Sequence, residues 1–269
     1  MAQARFSVRT AVAEGFDFWR QNWLKGVGAL ILAAVVGVVV QLTATPTHPI
    51  EMLGGIVLLS IAQLPAQAAF YRIALADLGA ESPERNGPLG LQWRMLETRL
   101  LGAGALIALL VFILALLAAF LMLALMAGFL DGVDPAALVS PEAVAAKLSP
   151  AGALVLNLFL LVFLIALIIL TVRLSLVQAA TAVANKTQVF SAAKLTKGAV
   201  APIFGTMVLI NLPLLILQVM ATAYAGKNIG LLTGMNVILS GIGPFFLIPI
   251  SVGAVAYIYR RLRAPGGAA

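Results

Sequence analysis

The sequence NLFLLVFLIALIILTVR runs from Asn157 to Arg173, and its residues from Leu158 to Val172 form an apolar run. Together with the apolar residues that precede it from Ala151, it is long enough to cross a bilayer, since a helix of about 20 residues spans the hydrocarbon core. Beyond Arg173 the chain becomes polar and carries Lys186 and Lys194. Because lysine and arginine concentrate in cytoplasmic loops, this junction indicates a membrane-spanning helix that ends at the cytoplasmic face.

The same pattern recurs on both sides of this stretch. We predict six transmembrane helices, at residues 26–42, 52–71, 100–130, 151–172, 203–225 and 231–259. The third and sixth runs exceed one crossing, so we expect them to tilt, kink or project beyond the hydrocarbon. The predicted fold class is all-α: a polytopic helical bundle in which residues 1–269 form a single integral membrane domain.

The composition supports a membrane protein and argues against a soluble one. Hydrophobic residues make up 62% of the chain and charged residues only 10%, whereas soluble domains carry about 25% charged residues. The net charge is +7, and the charges flank apolar runs. We therefore expect anionic phospholipid headgroups as partners, and not nucleic acid.

The distribution of basic residues predicts the orientation of the chain. Fifteen of the 17 lysines and arginines lie in segments 1–25, 72–99, 173–200 and 260–269, and only Lys147 and Lys227 lie in the remaining connections. By the positive-inside rule, both termini are cytoplasmic. We expect a multi-pass membrane protein.

Two segments have the spacing of amphipathic interfacial helices on the cytoplasmic side. The first is residues 6–23, where one stripe holds Val8, Val12, Phe16, Trp19 and Trp23. The second places Leu89, Trp93, Leu96 and Leu100 on one face. Mechanical anchoring of the bundle is the favoured role, and sensing of lipid or of a partner is the alternative.

Basic residues at the ends of apolar runs suit contact with lipid headgroups, because a long cationic side chain can reach the interface from a helix end. The candidates are Arg72, Arg99, Arg173, Lys197 and Arg260. Glycines repeated every fourth residue allow close helix contact in lipid, and this spacing occurs at Gly226, Gly230 and Gly234. A dimer face is the alternative role for these glycines, so a homo-oligomer or a membrane partner stays open.

Polar side chains within the predicted spans are few. Gln63 and Gln67 flank Pro65, and the other candidates for a polar site at the bilayer midplane are Asn157, Asn211, Pro213 and Asn236. Proline frees a backbone carbonyl, so Asn211 with Pro213 fits a broken helix of the kind that transporters use. Structural hydrogen bonds between helices are the competing and favoured explanation.

Residue types that enzymes and metal sites need are scarce. The chain has no cysteine and one histidine, His48, and none of its ten acidic residues lies deep within a predicted span. Metal ligands, a catalytic base and intramembrane carboxylates for proton coupling are therefore not expected. We predict a protein that is not an enzyme and has no cofactor and no metal.

Several stretches resemble a known group of proteins. These are FWRQNW at 18–23, AQAAFYRIAL at 66–75, GLQWRMLETRLL at 90–101, VRLSLVQAA at 172–180 and SAAKLTKG at 191–198. Together they resemble a broad group of bacterial, especially alphaproteobacterial, six-span inner-membrane proteins of unknown function, related to the membrane region of glycerophosphoryl diester phosphodiesterases. The resemblance implies an inner-membrane helical bundle linked to envelope or lipid physiology. It does not imply phosphodiesterase chemistry, because this sequence has no counterpart of the catalytic barrel.

Two functional hypotheses follow from the sequence. The leading one is a non-enzymatic, membrane-organising or accessory protein that contacts anionic phospholipid at its cytoplasmic face. The alternative is a carrier or flippase-like protein for a lipid or small amphiphile. The alternative requires Asn157, Asn211, Pro213 and Asn236 to converge on a common cavity.

Overall fold

The computed structural model describes residues 6–43, 49–129, 149–226 and 228–263, which leaves His48 and residues 130–148 outside the described residues. Within these ranges the chain is helical and contains no strand. The helices are α1 (Val8–Asn22), α2 (Val27–Thr43), α3 (Pro49–Ala74), α4 (Met95–Phe129), α5 (Pro150–Leu174), α6 (Val177–Ala184), α7 (Val189–Leu195), α8 (Val200–Ala225) and α9 (Ile229–Arg263).

Six helical stretches of the described chain are long and apolar enough to cross a membrane. They are Val8–Thr43, Ile50–Ala74, Pro88–Met126, Pro150–Ala184, Val200–Ala225 and Gly230–Arg263. The chain is thus an all-α, multi-pass membrane protein, and this confirms the predicted fold class. The long third and sixth runs are single continuous helices, α4 and α9, of which α9 accommodates two internal prolines.

The helices divide into two compact units, and the single domain predicted from the sequence stays a prediction. Unit 1 comprises residues 1–104 and 173–269, and unit 2 comprises residues 105–172. In unit 2, the end of α4 and the start of α5 approach closely, because an added Cβ at Gly152 would lie 3.0 Å from Phe129. Large apolar side chains such as Phe112 and Leu154 are exposed on these helices, as lipid-facing residues are.

Unit 1 is built around α9, which packs against α1, α2, α3 and α8. Two glycines allow a close approach between α1 and α9. A Cβ at Gly15 would lie 2.6 Å from the carbonyl oxygen of Ile250, and a Cβ at Gly253 would lie 2.6 Å from Cβ of Phe18. Small residues therefore bring these two backbones together, as expected where dispersion contacts stabilise helix pairs in lipid.

A proline in α9 explains a polar contact between the same helices. Pro249 has no N–H, so it cannot donate the usual helical hydrogen bond to the carbonyl of Phe245. The indole Nε1 of Trp19 donates to that carbonyl at 3.0 Å instead, and its ring lies 5.1 Å from that of Phe246. The tryptophan of α1 thus satisfies a backbone group that the proline leaves free.

The glycine repeat singled out in the sequence has a different environment, and its predicted packing role is wrong in this chain. A Cβ added at Gly226 or Gly234 would meet nothing within 4 Å, and one at Gly230 would meet only Oδ1 of Asn228, at 3.6 Å. Gly226 follows the last residue of α8 with a positive φ of 55°, so it ends a helix and does not pack one.

The amphipathic predictions are confirmed for one segment and wrong for the other. Helix α1 forms where residues 6–23 predict it, although Val12 and Trp19 of its stripe pack against unit 1. Its interfacial position stays a prediction. The second segment is not one helix: a 3-10 turn occupies Pro88–Gly90, and α4 begins only at Met95, because Pro88 and the positive φ of Leu89 break the pattern.

Candidate functional site

Unit 1 contains a cavity of about 470 Å³ between α2, α3, α8 and α9, closed at one end by residues next to and within α6. This volume falls within the range of about 300–1,000 Å³ typical of small-molecule sites. Among the residues that the structure describes, no charged side chain lines it. The polar residues of the lining are Gln41, Gln63, Gln67, Tyr71, Ser175, Gln178, Gln218, Asn236, Ser240 and Ser251.

The lining follows helix periodicity, so the cavity extends along the helices. Residues of α3 that face it recur every fourth position, from Leu59 through Gln63 and Gln67 to Tyr71, and so share one helix face. On α9 the lining extends from Asn236 to Val255, a rise of roughly 28 Å at about 1.5 Å per residue. This length approaches the roughly 30 Å of a bilayer's hydrocarbon core.

Contacts between the helices show at which level along the helix axes the polar groups of the lining lie. A Cβ at Gly37 would lie 3.3 Å from the carbonyl oxygen of Ser240 and 3.6 Å from Leu59, so these three residues share one level. At the far ends of α3 and α9, Arg260 bonds the carbonyl of Ala74. The two helices therefore run in the same direction, and Gln63 and Gln67 lie one and two turns from the level of Ser240 towards Arg260.

The two ends of the cavity differ in exposure. At one end, Nε2 of Gln218 donates to Oδ1 of Asn236 at 2.8 Å, and Gln41 and Gln218 are exposed. At the other end, the hydroxyl of Tyr71 donates to Oε1 of Gln178 at 3.4 Å, and Tyr71 is buried. The polar lining is thus exposed at the Gln218 end and closed at the Tyr71 end.

Two acceptors in the lining lack their usual donors. Oε1 of Gln67 is buried and accepts no hydrogen bond from any described residue. The carbonyl of Ser240 cannot receive the usual helical hydrogen bond, because residue 244 is a proline. Buried acceptors normally have partners, since leaving one unsatisfied costs about 1–3 kcal/mol.

The four residues predicted to form a midplane site do not lie together in the structure. Asn236 lines the cavity, whereas Asn211 lines a smaller one of about 150 Å³ that shares Ser175 and Ser251 with it. Pro213 lines neither cavity, and Asn157 is an exposed residue of unit 2. The four residues do not converge on one cavity, so the site that the sequence predicted for a carrier is wrong, and of the four only Asn236 belongs to the polar lining described above.

The broken helix predicted at Asn211 and Pro213 is also wrong. Helix α8 continues through Pro213 without interruption. The side-chain amide of Asn211 donates to the carbonyl of Met207 in its own helix, at 2.8 Å. Proline can be accommodated in this way because local adjustments re-satisfy the groups that it frees.

Sequence analysis missed Gln178 and Gln218 and gave too little weight to Gln63 and Gln67. A signal existed on α3, where Gln63, Gln67 and Tyr71 recur at four-residue intervals within an apolar run. That spacing places three polar groups on one face of a membrane helix, which is unusual unless the face meets a polar surface or a cavity.

Arg72 is not available to lipid, so its predicted headgroup contact is wrong. Its side chain is 0% exposed and donates to both carboxylate oxygens of Glu97, at 2.7 and 3.0 Å. Glu81 lies 3.1 Å away and Asn86 3.5 Å away. Glu97 also accepts the backbone N–H of Arg94, so the same carboxylate caps the start of α4 and neutralises Arg72.

The other basic candidates differ in their environments, and headgroup contact stays a prediction for each. Arg260 forms an ion pair of 2.7 Å with Asp77 and bonds the carbonyl of Ala74. Arg99 donates to the side chain of Asn185 at 3.1 Å. Arg173 and Lys197 are exposed. Among the described residues, no group of three histidine, cysteine, aspartate or glutamate side chains is placed to hold a metal ion.

Comparison with protein-family models, curated proteins and solved structures finds no match for this chain. The resemblance to the six-span inner-membrane group therefore stays a prediction from sequence.

Proposed function

We propose that this chain is a carrier that binds a small amphiphile, or the polar head of a lipid, in the uncharged cavity of unit 1. The observation that carries the proposal is the cavity itself: about 470 Å³ of space, lined by uncharged polar side chains, within helices that are long and apolar enough to span a membrane. The lining extends along α9 for nearly the thickness of the hydrocarbon core, and such a lining suits the passage of a polar group through the bilayer.

Purely structural hydrogen bonding accounts for only part of this lining. The Gln218–Asn236 and Tyr71–Gln178 pairs join helices, as such pairs do in membrane bundles. However, the space between the two pairs is not filled by protein, and Gln67 keeps an acceptor without a donor. A bundle that needed only helix contacts would fill this space with apolar side chains, as in close-packed interiors.

The distribution of basic residues supports an orientation for the carrier. We propose that both termini are cytoplasmic, because 15 of 17 basic residues lie in the connections assigned to that side. We also propose a bacterial inner membrane, as the resemblance to the six-span inner-membrane group implies. In this orientation the closed Tyr71 end faces the cytoplasm, and the exposed Gln218 end faces the opposite side.

The test is a lipid translocation assay with a matched pair of glycine variants. Gly243 lines the cavity and Gly234 lies on the same helix outside it, and a Cβ at either position would meet nothing within 4 Å. Leucine at Gly243 should therefore fill the cavity without a clash, whereas leucine at Gly234 should not affect it.

Proteoliposomes would contain a lipid labelled with a fluorophore that externally added dithionite bleaches. We expect the wild type and Gly234→Leu to raise the bleached fraction above that of protein-free vesicles, and Gly243→Leu to lose this increase. Equal activity of the two variants, or no activity of the wild type, would contradict the proposal.

A second candidate function is the organisation of anionic lipid at the cytoplasmic face. It is supported by the exposure of Arg173 and Lys197 and by α7, where Phe190 is 77% exposed and Lys194 lies one turn further on. Exposed aromatic and basic residues on one short helix suit a membrane interface. This function predicts gradual, additive loss of bound anionic lipid as exposed basic residues are replaced, with no effect of Gly243→Leu.

A further inference from the structure

We propose that a second cavity of unit 1, at the carboxyl-terminal end of α9, binds a phosphate group. This cavity has a volume of about 260 Å³ and lies between α6, α7 and the last residues of α9. Its described lining has no residue in common with that of the proposed carrier cavity, so this inference does not rest on the proposed function. In the proposed orientation this end of α9 lies at the cytoplasmic face, where lipid headgroups carry their phosphates.

Arg263 gives this cavity a positive charge that no carboxylate of the described residues neutralises. The arginines that form ion pairs among the described residues are Arg20, Arg72 and Arg260. The guanidinium of Arg263 instead lies 5.9 Å from the ring centroid of Tyr259, and its N–H groups donate to no described residue. No described aspartate or glutamate lines the cavity. A guanidinium in this state suits an anion, because its planar fork can donate two hydrogen bonds to one phosphate group.

Two neutral groups of the same lining also lack an acceptor. Oε1 of Gln188 accepts the hydroxyl of Ser191, and the two N–H donors of the Gln188 amide have no partner among the described residues. The hydroxyl of Tyr259 likewise bonds no described residue. Both groups keep accessible surface, because the only buried side-chain nitrogen and oxygen atoms without a partner in the described chain belong to Gln67 and Gln92. The lining therefore offers two accessible neutral donors in addition to the guanidinium.

The number of donors favours phosphate over a carboxylate. The guanidinium fork of Arg263 can take both oxygens of a carboxylate, whereas a phosphate group has four oxygens and keeps two for the Tyr259 hydroxyl and the Gln188 amide. A lipid headgroup and a soluble phosphate ester share this chemistry. Phe190 lies next to Ser191 in the sequence and is 77% exposed, and an exposed aromatic ring beside a basic site suits the membrane interface.

The test is a titration of the full chain in mild uncharged detergent, followed by native mass spectrometry. The probes are dioctanoyl phosphatidylglycerol and dioctanoylglycerol, which has the same acyl chains and no phosphate. We expect the wild type to bind one phosphatidylglycerol in preference to dioctanoylglycerol. Arg263→Gln should weaken this binding about tenfold or more, since hydrogen bonds to a charged group contribute at least this factor. The matched control is Arg261→Gln, an exposed arginine 5.4 Å from the ring centroid of Tyr257 and outside the lining, which should bind within about twofold of the wild type.

A second matched pair tests the site without a change of charge. Tyr259→Phe should weaken binding of phosphatidylglycerol by roughly three- to tenfold, as expected for one lost hydrogen bond, whereas Tyr257→Phe should bind as the wild type does. Lipid-free Arg263→Gln and Tyr259→Phe should both unfold at the thermal midpoint of the wild type, because neither change removes a hydrogen bond between described residues. Lower midpoints would indicate structural roles and would overturn the inference, as would equal binding by the two phenylalanine variants.

Competition with glycerol phosphate separates the two sources of phosphate. If bound phosphatidylglycerol withstands a large excess of glycerol phosphate, the site takes a lipid headgroup; if a comparable concentration displaces it, the same site takes a soluble phosphate ester. Equal weakening by Arg263→Gln and Arg261→Gln would indicate diffuse attraction of anionic lipid and overturn the inference. Equal binding of dioctanoylglycerol and phosphatidylglycerol by the wild type would also overturn it, because the phosphate would then contribute nothing. Neither result would touch the carrier proposal, which depends on Gly243→Leu.

Discussion

Replacement of Arg72 by methionine should destabilise the protein far more than replacement of an ordinary interfacial arginine. Arg72 and Glu97 are both 0% exposed and share two hydrogen bonds of 2.7 and 3.0 Å, and Glu81 is only 11% exposed. Loss of one partner from a buried ion pair costs about 3–5 kcal/mol, because the remaining charge stays buried without compensation. Exposed pairs contribute only about 0–1 kcal/mol.

The assay is thermal unfolding in detergent, followed by tryptophan fluorescence. For a chain of this size about 1 kcal/mol corresponds to roughly 2–4 °C, so Arg72→Met should lower the midpoint by roughly 6–20 °C. The matched control is Arg85→Met, which changes an exposed arginine in the connection between α3 and α4 and should shift the midpoint by less than about 2 °C.

A double variant tests the cause of this loss. Glutamine at position 97 removes the charge of Glu97 and can still accept the N–H of Arg94. Arg72→Met combined with Glu97→Gln should therefore be more stable than the sum of the two single changes predicts, by about 1–3 kcal/mol. If Arg72→Met melts like Arg85→Met, or if the two single losses simply add, the account of a buried and coupled ion pair is refuted.

Two further predictions concern the contact between α1 and α9. Trp19→Phe should reduce stability by about 1–3 kcal/mol, because the carbonyl of Phe245 loses its donor, and an unchanged thermal midpoint would contradict this. Gly253→Ala should lower the midpoint, because its Cβ would lie 2.6 Å from Cβ of Phe18, whereas Gly234→Ala should leave it unchanged or raise it, since alanine is the better helix former. Equal midpoints for the two alanine variants would show that the close approach at Gly253 is not needed.

The helices could be predicted from the sequence because their signal is local. Each apolar run is long enough to cross the hydrocarbon by itself, so its helical state depends little on its neighbours. The start of α4 is a partial failure of the same approach. The spacing of Leu89, Trp93 and Leu96 suits a helix, but Pro88 and the positive φ at Leu89 place a 3-10 turn at Pro88–Gly90, and the helix begins only at Met95.

The contacts between helices could not be predicted, because they depend on which faces meet. An arginine after an apolar run has the same local sequence whether it reaches lipid headgroups or, as Arg72 does, a glutamate 25 residues further on. The spacing of glycines is ambiguous in the same way, because it does not show whether another helix packs against them. Gly226, Gly230 and Gly234 have the repeat of a packing motif and open space around them, whereas Gly15 and Gly253 form the close contact without such a repeat.

The candidate site was predictable only in part for the same reason. Asn236 was identified from its position within an apolar run, and it does line the cavity. Gln178 and Gln218 belong to different segments of the chain, and only the packing of their helices around α9 brings them to the same space as Gln67.

Native mass spectrometry of the protein extracted in mild detergent, with lipid analysis of what remains bound, tests the central claim most directly. The claim is that a lipid or amphiphile occupies the cavity of unit 1. The account predicts that the wild type and Gly234→Leu retain one lipid class at a fixed stoichiometry and that Gly243→Leu loses it. Loose retention of mixed anionic lipids, unchanged by Gly243→Leu and reduced stepwise as exposed basic residues such as Arg173 are replaced, would contradict it.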